Sequence, residues 1–203
     1  MEVRCDKKEC DGDCPDKIAY LASEVLFNSE LIVYPTETLY GLGGDALDVI
    51  MLEKVLKVKQ AHPDKKISIA YTSLEQASEY VDIPELGWKL GELFLPGPLT
   101  IVVKDDDDTH GIRVPDHPLA QSIIEEFGPI TSTSANIHGN PDPVDMETAK
   151  TQLGSDVKLY IDCGECRYKE GTTVLKIVEE DIEVLREGAI SKKSIGDKLG
   201  RKI

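Results

Sequence analysis

Short apolar runs alternate with helix-spaced stripes along nearly the whole chain, and this alternation constrains the fold more than any other feature. Ile18, Leu21, Ala22, Val25 and Leu26 recur at helical spacing, which predicts an amphipathic N-terminal helix. A buried strand follows over Leu31–Tyr34, closed by Pro35 and leading to the glycine-rich Gly41-Leu42-Gly43-Gly44. Leu52, Val55 and Leu56 predict a second helix leading into Lys57-Val58-Lys59. Further strands are expected over Ile67–Tyr71, Leu99–Val103 and Ile130–Thr133, and near 158–162, 172–178 and 182–186. Helices are expected over Leu74–Tyr80 and on the stripe Leu119, Ile123, Ile124 and Phe127. Another runs from an Asp145 N-cap to Gly154, and a short one starts at Ser191. With no linker or repeat in 203 residues, the pattern predicts one α/β domain with an open, twisted, mixed sheet and flanking helices.

The chain carries a net charge of −15, which argues against broad nucleic-acid binding, since that relies on a basic surface. Anionic small molecules remain compatible, because a few Lys and Arg side chains converging in a cleft can hold a phosphate. No run approaches a membrane span, and the opening MEVRCDKKECDGDCPDK has no apolar signal core. A cytoplasmic protein without membrane contact is expected. Five cysteines fall into two groups, Cys5, Cys10 and Cys14, then Cys163 and Cys166. A second well-spaced CxxC pair is missing, so reduced structural thiols are expected in preference to a metal site.

Ligands in such sheets sit where strands end and glycine-rich turns begin. Four loops meet that description. In Tyr34-Pro35-Thr36-Glu37-Thr38-Leu39-Tyr40-Gly41, strand alternation puts Thr36 and Thr38 on one side. Pro96-Gly97-Pro98 fixes a rigid turn that aims Thr100. Ser132-Thr133-Ser134-Ala135-Asn136-Ile137-His138-Gly139 places four short polar side chains at one strand end; Ser134 and His138 could pair, but no GxSxG context supports a nucleophile. Gly171-Thr172-Thr173-Val174 is followed by Arg186-Glu187-Gly188, and an Arg at a strand end suits bidentate phosphate binding. Arg113, in Gly111-Ile112-Arg113-Val114-Pro115, is a further candidate. The run Asp105 to Asp108 reads as a solvated loop, because four adjacent carboxylates cannot converge on one ion.

Each loop is ordinary alone, but PTETLYGLG, PGPLT, GIRVPDHP, SANIHG, TTV and LREG in this order resemble the YrdC/Sua5 family from about residue 16 to 190. The resemblance implies a YrdC-like open sheet around a large, locally basic cleft. It divides the chain into a Cys-containing N-terminal extension over 1–15, a YrdC-like domain over 16–190 and a tail with a short helix over 191–203. It implies a short, YrdC-type L-threonylcarbamoyladenylate synthase, a nucleotidyltransferase. Such an enzyme would join L-threonine, bicarbonate and ATP with Mg²⁺ and release pyrophosphate. The product would pass to the machinery that forms t6A at position 37 of tRNA. By motif position, Thr36, Thr38, Ser132 and Thr173 match threonine-binding positions. Lys59, Thr100, Ser134, Asn136 and Arg186 match ATP-binding ones, with Arg113 and Asp142 added, and Lys59 and Arg186 carry the catalytic role.

Several departures bear on the phosphate side: aligning Lys59 with the lysine of the family's Lys-x-Arg element leaves Ala61 in the arginine's place and Lys65 and Ala70 at positions often filled by Asn and His, and Asp142 replaces a serine. The alternative register reads Lys57-x-Lys59, and Lys57, Lys65 or Lys66 could supply the missing cation. The competing class is an RNA-binding or regulatory module on the same fold, with any tRNA or double-stranded RNA contact confined to the cleft mouth.

Overall fold

The computed structural model describes residues 1–5, 14–105 and 108–203, with Cys14 and Asp105 described by backbone alone. Cys10, the Cys14 side chain and the middle of the acidic run therefore lie outside the described residues. In chain order the elements are β1 (Glu2–Arg4), α1 (Cys14–Phe27), β2 (Ile32–Tyr34), β3 (Gly41–Gly43), α2 (Val49–Val58) and β4 (Ser68–Ala70). Then come α3 (Leu74–Ser78), α4 (Glu85–Phe94), β5 (Leu99–Asp105), β6 (Asp108–Arg113), α5 (Pro118–Phe127) and β7 (Ile130–Ser134). The chain closes with α6 (Met146–Leu153), β8 (Leu159–Asp162), β9 (Thr173–Val178), β10 (Asp181–Arg186) and α7 (Lys192–Leu199). The ten strands form one mixed sheet in the order β1-β8-β2-β3-β7-β4-β6-β5-β9-β10.

Most of these elements follow the apolar spacing, and the caps follow the side chains. Asp145 accepts from Thr148 N and Ser191 from Ser194 N, each satisfying a helix-start amide. Elements β1, β3 and α4 were not foreseen. Gly41–Gly43, expected as a glycine-rich turn, is β3, paired antiparallel with both β2 and β7. Glycine is needed there, since a Cβ on Gly41 would stand 2.7 Å from the Tyr34 ring. Helix α4 buries Leu90 and Phe94.

The helices cover the two halves of the sheet differently. In the first half both faces are packed: Ile32 and Tyr34 meet α1 and α5 in one core, while Val33 meets α2 and α6 in another. Such strands read as continuous apolar runs. In the second half, α3, α4 and α7 pack a third core against Leu99, Ile101, Ile112 and Leu175. The intervening residues Thr100, Val102, Gly111, Arg113, Thr172 and Val174 line an open cleft on the opposite face. The period of two thus separates core from cleft.

Both ends of the chain join this body. β1 pairs parallel with β8, and α7 places Ile195 and Leu199 in the third core. Cys5 and Cys163 pack against the first core, and Cys166 lies within the second, that of α2 and α6. Among the described residues no three His, Cys, Asp or Glu side chains group as a metal site, and no helix is long and apolar enough to cross a membrane.

Candidate functional site

The cleft encloses about 610 Å³. Its walls come from loops that the sequence marks out, brought together from seven strands. Three clusters of side chains define it.

The first cluster belongs to the loop between β2 and β3. Thr36 and Thr38 are buried with their hydroxyls 3.0 Å apart, and Thr36 donates to the Leu39 carbonyl. Arg113, at the end of β6, donates through Nη2 to Glu37 Oε1 at 2.7 Å and to Thr38 Oγ1 at 3.1 Å. The other Glu37 oxygen accepts from Asp116 N. This pair is almost wholly buried, at 6% and 2% side-chain exposure, so the carboxylate offsets the cost of desolvating the guanidinium. Arg113 Nε is buried with no partner among the described residues. Ser132 and Gly41 complete this part of the wall.

The second cluster surrounds Lys59, the C-cap of α2. Its ammonium donates to the carbonyls of Ser134 and Asn136 and to Asn136 Oδ1. Burial, followed by the nearby charge of Lys65, lowers its pKa to about 8, with Asp142 pulling the other way. Asn136 Oδ1 also accepts from Ser134 Oγ at 2.6 Å, and Asn136 Nδ2 donates to Asn140 O. Lys65 donates to His138 Nδ1 at 2.9 Å. His138 thus faces Lys65, and Ser134 is engaged with Asn136, so the two do not form a nucleophile pair.

The third cluster lies across β5, β9 and β10. Thr100 and Thr172 share a 2.8 Å hydroxyl bond, and Arg186 donates through Nε to Thr172 O and through Nη2 to Thr172 Oγ1. The β9–β10 register shifts between Val184 and Arg186. A bulge at this point turns both Leu185 and Arg186 toward the cleft. Partial desolvation lowers the Arg186 pKa, opposed by Asp142 and reinforced by Arg113.

Of the residues singled out from the sequence, Thr36, Thr38, Lys59, Thr100, Arg113, Ser132, Ser134, Asn136, Asp142 and Arg186 all line this one cleft. Thr173 does not. It is fully buried, and its hydroxyl donates to Ile190 O and accepts from the amides of Gly188 and Ile190. The neighbouring Thr172 takes the cleft position, because strand parity puts Thr172 and Val174 on the same side. That parity was legible in Thr172-Thr173-Val174-Leu175. Among the candidate cations, Lys57 is exposed away from the cleft, whereas Lys65 and Lys66 line it; Ala61 does not. Glu37 was also missed, although a lone acid among hydroxyls and apolar residues marks a buried partner for a cation.

Five Lys and Arg side chains line the cleft against one acid, Asp142. Arg113 is paired with Glu37 and Lys66 with Asp108, while Lys59, Lys65 and Arg186 have no carboxylate partner among the described residues. A half-covered sheet whose bare face carries hydroxyls and, among the described residues, cations without carboxylate partners defines an α/β protein with a cleft suited to a small polar anion. The chain belongs to the Sua5/YciO/YrdC family, whose model, described as "Telomere recombination", matches residues 24–188. A putative threonylcarbamoyl-AMP synthase of Mycobacterium tuberculosis is 35% identical over 84% of each chain, and one of Methanocaldococcus jannaschii 33% identical over 85% and 86%. P. abyssi Sua5 complexed with L-threonine superposes with a TM-score of 0.89 at 29% identity; all of this chain is matched, spanning 61% of that one. E. coli YciO superposes at 0.82 with 25% identity, over 96% and 98% of the two chains.

Proposed function

We propose that this chain is a threonylcarbamoyl-AMP synthase. The carrying observation is that Lys59, Lys65 and Arg186, without carboxylate partners among the described residues, line the same cleft as the Thr36–Thr38–Arg113 cluster. One part of the cleft suits a phosphate chain and the other a small hydroxylated amino acid. Curated relatives named threonylcarbamoyl-AMP synthase, and the L-threonine complex of a structural relative, support this reading.

The amine of L-threonine and bicarbonate condense to a carbamate with loss of water. A carbamate oxygen then attacks the α-phosphorus of ATP, and the bridging oxygen leaves with pyrophosphate. Such transfer depends on positioning and on neutralising developing charge, the roles given to Lys59 and Arg186. Ser134, Asn136 and Thr100 align the nucleotide. Arg113, assigned to ATP from the sequence, donates to Thr38, which supports giving its guanidinium to the threonine carboxylate instead. Were ATP bound as its Mg²⁺ complex, Asp142, the one carboxylate lining the cleft among the described residues, would offer that ion an oxygen. The reading extends to a cytoplasmic protein that supplies t6A formation on tRNA and touches RNA only at the cleft mouth.

Pyrophosphate release that requires ATP, L-threonine and bicarbonate together is the direct test. Release independent of threonine, or no release at all, overturns the reading. Arg186→Ala should lower turnover more than tenfold, since removing one donor aimed at developing charge costs about that or more. The exposed Lys193→Ala serves as control. Valine should bind more weakly than threonine, because it leaves the hydroxyl partners unpaired.

A further inference from the structure

The cysteines stand outside the cleft chemistry, and strand parity sorts the described ones. β1 and β8 run parallel, with Val3 opposite Ile161 and Arg4 opposite Asp162. One step further along both chains, Cys5 stands opposite Cys163, and the Cys5 amide donates to Asp162 O at 2.7 Å. Alternation puts Val3 and Cys5 on one face and Ile161 and Cys163 on the same face, where all four join the core of α1 and α5. Cys166 lies on the other side of the sheet, buried in the core of α2 and α6. The close spacing of Cys163 and Cys166 in sequence therefore does not make them a pair.

Cys5 and Cys163 meet the requirements of a disulfide. Adjacent strands run about 4.8 Å apart, inside the Cα separation of roughly 4.4–6.8 Å that a disulfide spans. Both backbones are already held. Cys163 N donates to Tyr40 Oη at 3.0 Å, and the same Oη donates to Gly164 O at 2.7 Å. Both side chains are half-buried and carry reduced thiols, so an oxidant can reach them. Cys166 is covered instead, and burial pushes its thiol up to about 12. β1 is also the edge strand of the sheet and spans only Glu2–Arg4, so its few ladder bonds leave it in need of a tie.

We propose that Cys5 and Cys163 close a reversible disulfide that staples the edge strand β1 to β8 under oxidising conditions, with a small-molecule disulfide as the oxidant. One cysteine thiolate attacks a sulfur of that molecule and expels one half as a thiol, leaving a mixed disulfide. The other cysteine then attacks the protein-side sulfur and expels the second half. The protein sulfurs are oxidised, the small disulfide is reduced to its two thiols, and the cysteine protons end on those thiols. In a reducing compartment the pair rests as thiols. The staple lies outside the cleft and is independent of the synthase reading.

Peptide mapping of the full chain tests it. The protein is incubated with oxidised glutathione, remaining thiols are capped with N-ethylmaleimide, and the chain is cut with trypsin without reduction. Trypsin separates Cys5, in Cys5–Lys7, from Cys10 and Cys14, in Glu9–Lys17, and leaves Cys163 in Leu159–Arg167. The expected product links Cys5–Lys7 to Leu159–Arg167. It should persist in Cys166→Ser, vanish in Cys163→Ser and revert with dithiothreitol. Oxidation should raise the melting temperature by roughly 5–10 °C, the usual effect of closing a long loop in a chain of this size, and should not raise it in Cys5→Ser. The proposal fails if Leu159–Arg167 is linked to Glu9–Lys17 instead, or if glutathione stays on single cysteines. It fails equally if the purified protein retains zinc that shields Cys5 and Cys163 from N-ethylmaleimide, since a metal ion then holds the pair. A link that leaves the melting temperature unchanged overturns the staple, because β1 then gains nothing from it.

Discussion

Single residues in this cleft are held in states that a ligand can change. Lys59 is the clearest case, because a buried ammonium with a pKa near 8 is only partly charged in mildly alkaline solution. A polyphosphate stabilises its charged form and raises that pKa, so ATP binding near pH 8 should take up protons. Calorimetry in two buffers of different ionisation enthalpy should detect the uptake, and Lys59→Met should abolish most of it. Affinity for ATP should fall as pH rises through 8. Glu37 acts on a neighbour, since its carboxylate holds Arg113 Nη2. Glu37→Ala leaves that guanidinium buried without its partner, a loss typically costing about 3–5 kcal/mol. Urea unfolding should register it, with weaker threonine binding in the protein that remains folded. The hydroxyls and basic residues of the motifs were legible as a set. Their pairings were not, because Glu37 and Arg113 are 76 residues apart in sequence and meet only across the sheet.

At the level of elements, strand β9 separates two adjacent threonines by function. Thr172→Val should lower turnover about tenfold with little change in stability, since it frees Arg186 and Thr100 on the cleft side. Thr173→Val should do the reverse, because the buried amides of Gly188 and Ile190 lose their acceptor, at about 1–3 kcal/mol for a buried unsatisfied group. Melting curves alongside pyrophosphate assays separate the two. Helix α7 belongs to the core, with Ile195 fully buried. Ile195→Ala should cost about 2–5 kcal/mol in urea unfolding while leaving ATP affinity of the folded protein intact. Most helices were readable because their apolar stripes repeat over several turns; α4 was not, with Gly87 and Gly91 on its buried face. The strand at Gly41–Gly43 was not, because glycine gives no alternation to read and it pairs there through backbone alone.

The whole molecule combines a bulk charge of −15 with a cleft of the opposite sign, and its stability should be sensitive to alkali. Burial pushes Tyr34, Tyr160 and Cys166 up to about 12, and Tyr40 higher still. Each favours the neutral form when folded, so its stabilisation is present below the unfolded pKa and is lost as pH rises from about 9–10 toward 12. Lys59 works in the opposite sense between about 8 and its unfolded value near 10.5, but it is one group against four. Melting temperature should therefore decline above about pH 10. A flat or rising profile would show that these groups are not desolvated as packed here. The amino-acid sequence by itself determined the α/β alternation, the helix caps and the order of the polar loops, since each depends on near neighbours and on a short period. Only the tertiary structure decided which threonine faces the cleft, which lysine reaches it and which carboxylate neutralises Arg113. Those outcomes depend on strand parity, on a bulge in β10 and on contacts between segments far apart in the chain, which no local pattern encodes.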